Sequence, residues 1–169
     1  MAQFGIFYGS TTGNTTKAAE AIQAILGADR AELVDVATAG VEDFNRYSNL
    51  ILGASTWGYG DLQDDWEKKL PLLKEVDLKG KTVALFGLGD QEGYAACYLD
   101  AMGIIHDVLV ECGVTTVGAW PTEGYTFDDS VACKDGQFVG LALDEDNEAD
   151  KTPQRIAVWL QQLEGQWQE

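Results

Sequence analysis

Short apolar runs alternate with helical patterns along the whole chain, and this alternation restricts the fold more than any other feature. The runs cover residues 4–8, 33–36, 50–54, 83–88, 114–117 and 138–143. Continuous apolar runs of this length are typical of strands buried on both faces, with helices crossing between them. We therefore predict an α/β fold, a three-layer doubly wound sheet of five parallel strands, in one domain spanning residues 1–169.

Six apolar runs exceed the five strands expected. Residues 119–137 are rich in Gly, Asp and Thr and show no helical spacing, so we predict an insertion there that splits the last strand into 114–117 and 138–143. Helical patterns are predicted at 18–26, 66–73, 99–110 and 156–163, with a shorter helix at 41–47.

The charge of the chain excludes several partners. Its net charge of −17 predicts no binding to nucleic acid or to an anionic membrane surface. The segment from 123 to 150 contains nine acidic residues and a single lysine, and four more acidic residues lie between 61 and 67. This clustering favours docking onto basic proteins over a charge that serves only solubility.

The few cysteine and histidine residues indicate the cellular setting. Three widely spaced cysteines without a CxxC motif and one histidine argue against a metal site and predict reduced thiols in a cytoplasmic protein. The N-terminus lacks the features of a signal peptide, and no apolar stretch approaches the ~20 residues of a membrane span.

A hydroxyl-rich turn follows the first predicted strand. It reads GSTTGNTT from Gly9 to Thr16 and lacks both the Gly-Lys-Ser/Thr of nucleotide hydrolases and the GxGxxG of dinucleotide sites. Its hydroxyls and backbone N–H groups, at the start of a predicted helix, suit the phosphate of a monoester. The alternative is a Ser/Thr-rich helix cap without a ligand.

Two later post-strand loops carry large aromatic side chains. Trp57 and Tyr59 lie among glycines in STWGYG, and Tyr94 ends GLGDQEGY. Loops after parallel strands meet at one sheet edge, where two aromatic rings can enclose a flat ligand ring. A flat ring with a phosphate monoester predicts a mononucleotide. The alternative, for either aromatic residue taken singly, is that its side chain packs against the rest of the protein.

Together these residues resemble the flavodoxins, the small FMN electron carriers. The family's phosphate signature Thr/Ser-x-Thr-Gly-x-Thr is matched by residues 10–15, and its stacking pair by Trp57 and Tyr94. FVGLALDEDN, residues 138–147, and the insertion before it resemble the long-chain subgroup. The resemblance implies a cytoplasmic monomer without substrate turnover. It would pass single electrons from an NAD(P)H-dependent reductase to acceptor enzymes through the quinone, semiquinone and hydroquinone states of FMN.

The resemblance also assigns the FMN-binding residues. The phosphate is expected at Ser10, Thr11, Thr12, Gly13, Asn14 and Thr15. The ring is expected against Ser55, Thr56, Trp57, Gly58, Tyr59 and Gly60, with Tyr94 on its outer face. Its pyrimidine edge is expected at Leu88, Gly89, Asp90 and the Cys97 backbone, and Asp146 near the ribityl chain. Many long-chain members carry Asn or Tyr at the position of Gly58, and Asn at that of Cys97.

Two hypotheses about redox tuning follow. Gly58 should ease a peptide flip that favours the semiquinone, because glycine accepts unusual φ values. Nearby carboxylates such as Asp90 should oppose the anionic hydroquinone and lower the second potential. An FMN-dependent NAD(P)H:quinone reductase is a rival function, although no basic cluster suits NADPH. A response regulator is another, but it needs an acidic pair where this chain has Gly9 and Ser10.

Overall fold

Five parallel strands form the central sheet of the chain, whose computed structural model describes residues 3–168. The ends of the predicted domain, residues 1–2 and 169, lie outside the described residues. In chain order the strands are β1 (Phe4–Gly9), β2 (Ala31–Asp35), β3 (Asn49–Trp57), β4 (Asp61–Leu62), β5 (Thr82–Leu88), β6 (Trp120–Pro121), β7 (Cys133–Lys134), β8 (Gln137–Phe138) and β9 (Leu141–Leu143). The main sheet has the order β2-β1-β3-β5-β9, which confirms the predicted doubly wound fold.

Helices cover both faces of this sheet. They are α1 (Asn14–Leu26), α2 (Val41–Asn45), α3 (Asp64–Lys69), α4 (Asp100–Glu111) and α5 (Thr152–Gln162). Helices α1 and α5 contact each other, and α4 packs beside a 3-10 segment, Leu70–Lys74, that follows α3. The predicted helix over 66–73 changes character at this segment, where Pro71 lacks the N–H that would continue the α-helical hydrogen bonding.

The insertion interrupts the last strand of the sheet, as predicted, but residues 114–116 of its predicted first half form no strand. Val117 forms a single parallel bridge with Ala84, and its N–H donates a 2.9 Å hydrogen bond to the Val83 carbonyl. After the insertion, β9 continues along the same edge of β5. Trp159 of α5 holds the segment at Val117 in place, because its indole Nε1 donates a 2.9 Å hydrogen bond to the carbonyl of the next residue, Gly118.

The second half of the split strand is shorter than predicted. Residues 138–143 do not form one strand, because Phe138 ends β8, which pairs with β6 and β7 in a small antiparallel sheet. The backbone then crosses closely over β5 at Gly140, where a Cβ atom would lie 2.2 Å from the Leu85 carbonyl oxygen. Glycine permits this approach, and only Leu141–Leu143 join the main sheet.

Candidate functional site

A cleft of about 340 Å³ lies at the carboxyl edge of the sheet, where the loops after β1, β3, β5 and β9 converge. This is the edge where doubly wound folds bind ligands, and the volume suits a small molecule. Of the predicted residues, the cleft is lined by Thr12, Asn14, Ser55, Thr56, Trp57, Gly58, Leu88, Gly89, Asp90, Tyr94, Cys97 and Asp146. The structure adds Tyr98, Leu99 and Glu145, which sequence reasoning missed.

Some predicted residues do not line the cleft. They are Ser10, Thr11 and Gly13 on the loop after β1, Thr15 in the first turn of α1, and Tyr59 and Gly60 on the loop after β3. Tyr59 differs most from expectation, because its side chain is 91% exposed. Its ring stands edge-on to Tyr94 with centroids 6.0 Å apart, so it forms part of the rim.

The hydroxyl-rich turn is not used to cap α1. The N-cap residue is Gly13 with φ of +94°, and no side chain caps the helix start. Ser10 Oγ accepts a 2.9 Å hydrogen bond from the Gly13 N–H within the turn. Thr11 Oγ1 accepts one of 3.2 Å from Gln63, and Thr15 is buried. The capping alternative is therefore wrong, and the partial positive charge of the helix start faces the cleft beside Thr12 and Asn14.

Trp57 is held at the end of a hairpin. Strand β3 extends through Trp57 and pairs with β4, and the Gly60 N–H closes the turn on the Trp57 carbonyl at 3.2 Å. Gly58 and Gly60 have φ of +51° and +104°, which glycine adopts without strain. The indole Nε1 of Trp57 donates a 2.9 Å hydrogen bond to Ser55 Oγ, which fixes the ring at the cleft.

Tyr94 and Cys97 approach the cleft from the loop after β5. Tyr94 is 44% exposed, as expected of an aromatic cover. The Cys97 thiol is buried and lies 3.8 Å from the Gly58 carbonyl oxygen and 3.7 Å from that of Tyr94. Burial raises the pKa of Cys97, so the thiol is neutral, and its single S–H can donate one weak hydrogen bond to either carbonyl oxygen.

Asp90 is an ionised group of the cleft. Its Oδ1 accepts hydrogen bonds of 2.7 Å from the Gly93 N–H and 3.1 Å from the Glu92 N–H. The first of these, with a hydrogen bond from Asn147, lowers the pKa of Asp90 below its usual value. Burial raises the pKa of Asp146, and the neighbouring Asp90 carboxylate adds to that shift.

Asp144 supports the cleft from beneath. Its carboxylate is fully buried and accepts hydrogen bonds from the side-chain amides of Gln91 and Asn147, both at 2.8 Å. The N–H groups of Asp146 and Asn147 satisfy its other oxygen. Sequence reasoning missed this residue, although its position directly after an apolar strand was a signal for it.

A larger cleft lies at the opposite edge of the sheet. It has a volume of about 870 Å³ and is lined by residues 74, 76–81 and 111–115, which precede β5 and follow α4. Because ligands of this fold class bind at the carboxyl edge, its size does not make it the functional site.

Other kinds of site find no support in the structure. Residues 3–168 contain no group of three or more His, Cys, Asp or Glu side chains that could hold a metal ion. Across the same described range, no helix is long and apolar enough to cross a membrane.

Comparisons with known proteins agree with this geometry. The model of the flavodoxin family matches residues 6–159. The chain is 49% identical to a flavodoxin of Synechocystis over 96% of each protein, and 48% identical to flavodoxin 1 of Escherichia coli over 96% of this chain and 93% of that one. A crystal structure of Fusobacterium nucleatum flavodoxin bound to flavin mononucleotide superposes with a TM-score of 0.93 at 32% identity, covering 99% of this chain and 100% of that one. The chain belongs to the flavodoxin family.

Proposed function

We propose that this flavodoxin is a low-potential electron carrier that binds FMN non-covalently in the cleft at the carboxyl edge. One observation carries the proposal: an uncapped helix start rich in hydroxyls and two aromatic side chains, Trp57 and Tyr94, converge on one cleft. The Fusobacterium relative, at 32% identity, binds FMN within the same fold. When bound, FMN would supply the one-electron redox chemistry, and the residues of the cleft would hold it.

The residues of the cleft fit this cofactor. Thr12 and Asn14 lie where the helix dipole favours the phosphate, and no lysine or arginine is among the described residues that line the cleft. Ser55–Gly60 and Leu88–Asp90 would hold the ring, while Trp57 and Tyr94 would cover its faces and exclude water. Asp146 would lie toward the ribityl chain. A neutral phosphate loop leaves the charge of the phosphate uncompensated, which disfavours additional electrons on the ring.

The partners that we propose are basic redox proteins, an NAD(P)H-dependent reductase as donor and an acceptor enzyme. The acidic residues Asp64 and Glu67 are exposed on α3, which follows the Trp57 hairpin directly. Asp90, Glu145 and Asp146 line the cleft itself. Such a rim would steer a basic partner toward the exposed edge of the cofactor. The protein would act as a monomer in the cytoplasm, where its three free cysteines stay reduced.

FMN titration of the cofactor-free protein tests the proposal. Aromatic stacking is expected to quench flavin fluorescence with one FMN bound per chain, and a reductive titration should show two separate one-electron waves. Replacing Thr12 with Val removes one hydroxyl and is expected to weaken FMN binding about tenfold, the effect of one hydrogen bond to a charged group.

Riboflavin and a matched variant provide the controls. Thr12→Val should leave the affinity for riboflavin, which lacks the phosphate, unchanged. Thr115→Val makes the same substitution at the cleft of the opposite edge and should leave FMN affinity unchanged. Absence of quenching at high micromolar FMN would refute the proposed function.

A further inference from the structure

Gln91 lies on the loop after β5 that also carries Tyr94, and its side-chain amide is buried. Its side chain is 2% exposed, although both neighbours in sequence, Asp90 and Glu92, reach the surface more. A buried amide loses its hydration and requires hydrogen-bond partners in the protein. Gln91 has three partners for its oxygen and nitrogen, and they come from two other segments of the chain.

Two of the partners lie in the turn after β9. The Gln91 Nε2 donates hydrogen bonds of 2.8 Å to Asp144 Oδ2 and 2.6 Å to Glu148 Oε1. Glu148 is in turn fixed by Lys151 and by Arg155, whose Nη2 lies 3.0 Å from Oε1. The hydrogen bond from Lys151, reinforced by that from Arg155, lowers the pKa of Glu148 to about 2, so at neutral pH Gln91 donates to an ionised carboxylate.

The third partner lies in the insertion. Gln91 Oε1 accepts a 2.7 Å hydrogen bond from the Thr126 N–H. Two residues further on, the N–H groups of Asp128 and Asp129 donate hydrogen bonds of 2.8 and 3.0 Å to the Ala95 carbonyl. The insertion therefore holds the loop at positions 91 and 95, on either side of Tyr94.

From this geometry we infer that Gln91 is a positioning residue for the flavin ring, which couples the insertion and the β9 turn to the placement of Tyr94. Gln91 does not line the cleft, so it acts through the loop rather than by contact with the cofactor. The Tyr94 side chain is 44% exposed, and the aromatic ring beside it belongs to Tyr59, which is 91% exposed, so the loop backbone determines where the Tyr94 ring stands. The inference rests on the proposed function, because it concerns the affinity of the same site for its ring.

Gln91→Met tests the inference by keeping the side-chain length and removing both hydrogen-bonding functions. It is expected to weaken FMN and riboflavin binding about tenfold each, equivalent to about 1.4 kcal/mol, while the affinity for inorganic phosphate stays unchanged. Gln137→Met is the matched control, since Gln137 is exposed in β8 of the insertion, and should bind both flavins like the wild type. FMN affinity of Gln91→Met within twofold of the wild type, or an equal loss for phosphate, overturns the inference.

A double-mutant cycle separates positioning from general destabilisation. If Gln91 acts through Tyr94, Gln91→Met should have little effect on FMN affinity once Tyr94→Ala is present. A role in stability alone predicts that the two losses multiply, and that outcome contradicts the inference. If the wild type itself fails to bind FMN, the proposed function fails first, so the two failures are distinguishable.

Gln91→Glu gives a second variant with a pH readout. Charged groups that face position 91 are the carboxylates of Asp144 and Glu148, with Arg155 and Lys151 behind Glu148. Two adjacent carboxylates favour a protonated glutamic acid, which can donate to one of them and accept from the Thr126 N–H. Riboflavin affinity, relative to the wild type at the same pH, should recover about tenfold as the medium becomes acidic. A ratio independent of pH overturns the inference.

Discussion

The Oδ1 atom of Asp90 accepts a 2.8 Å hydrogen bond from the side-chain amide of Asn147, which ties the loop after β5 to the turn after β9. Two backbone N–H groups donate to the same oxygen, and the low pKa of Asp90 keeps a negative charge on the wall of the cleft. Because Oδ1 alone receives these bonds, an asparagine can keep the geometry while the charge is removed.

Asp90→Asn is therefore expected to raise the potential for the second electron. A carboxylate at ~10 Å in an effective dielectric of ~20 opposes an added negative charge by ~1–2 kcal/mol before screening, which corresponds to tens of millivolts. A spectroelectrochemical titration measures this shift. Glu75→Gln removes an equal charge from an exposed position after the 3-10 segment and should leave the potential nearly unchanged. Equal shifts in the two variants would mean that net charge, not the local carboxylate, sets the potential.

Gly58→Ala is expected to lower both the free energy of unfolding and the potential for the first electron. Gly58 has φ of +51° beside the cleft, a conformation that costs a non-glycine residue ~1–2 kcal/mol. Urea unfolding should show that loss in the free energy of unfolding. Potentiometry should show a lower potential for the first electron, because any peptide rearrangement at position 58 that accompanies reduction becomes harder.

Gly80→Ala provides the matched control for this change. Gly80 has φ of +78°, no atom within 4 Å of an added Cβ, and a place at the opposite cleft. It should lose a similar free energy of unfolding and keep both potentials. If Gly58→Ala also kept both potentials, the role assigned to Gly58 in tuning would be wrong.

The sequence predicts the positions of Trp57 and Tyr94 well, because strand ends can be located from apolar runs and the edge follows from the fold class. It does not predict the contacts beneath them. Gln91 and Asp144 are 53 positions apart, and their hydrogen bond depends on how the turn after β9 meets the loop after β5. The sequence likewise does not predict that the run 138–143 is divided at Gly140, because the division arises from a close backbone approach to Leu85.

Neutralising the acidic start of α3 is expected to slow docking. Asp64→Asn with Glu67→Gln removes two exposed charges near the Trp57 hairpin. The association rate with a basic NAD(P)H-dependent reductase should fall several-fold at low salt and depend less on ionic strength, as stopped-flow mixing can show. Glu75→Gln with Asp77→Asn removes two charges from the other edge and should have a smaller effect. An association rate of the unchanged protein that is insensitive to salt would contradict electrostatic docking.

His106, the only histidine of the chain, is expected to cause a loss of stability in weak acid. Burial lowers the pKa of His106 below its usual 6.5 and outweighs the neighbouring Asp107 carboxylate, 3.8 Å from Nδ1, which raises it. The unfolded chain then binds a proton more readily than the folded protein. The free energy of unfolding should therefore be fully retained above pH ~6.5 and fall as the pH drops toward the lowered pKa.

His106→Leu removes this dependence while filling most of the space. Urea unfolding of the FMN-free protein between neutral and weakly acidic pH measures it, without interference from the FMN phosphate, which titrates near pH ~6. Equal pH slopes for the two proteins would show that carboxylates, not His106, govern stability in this range.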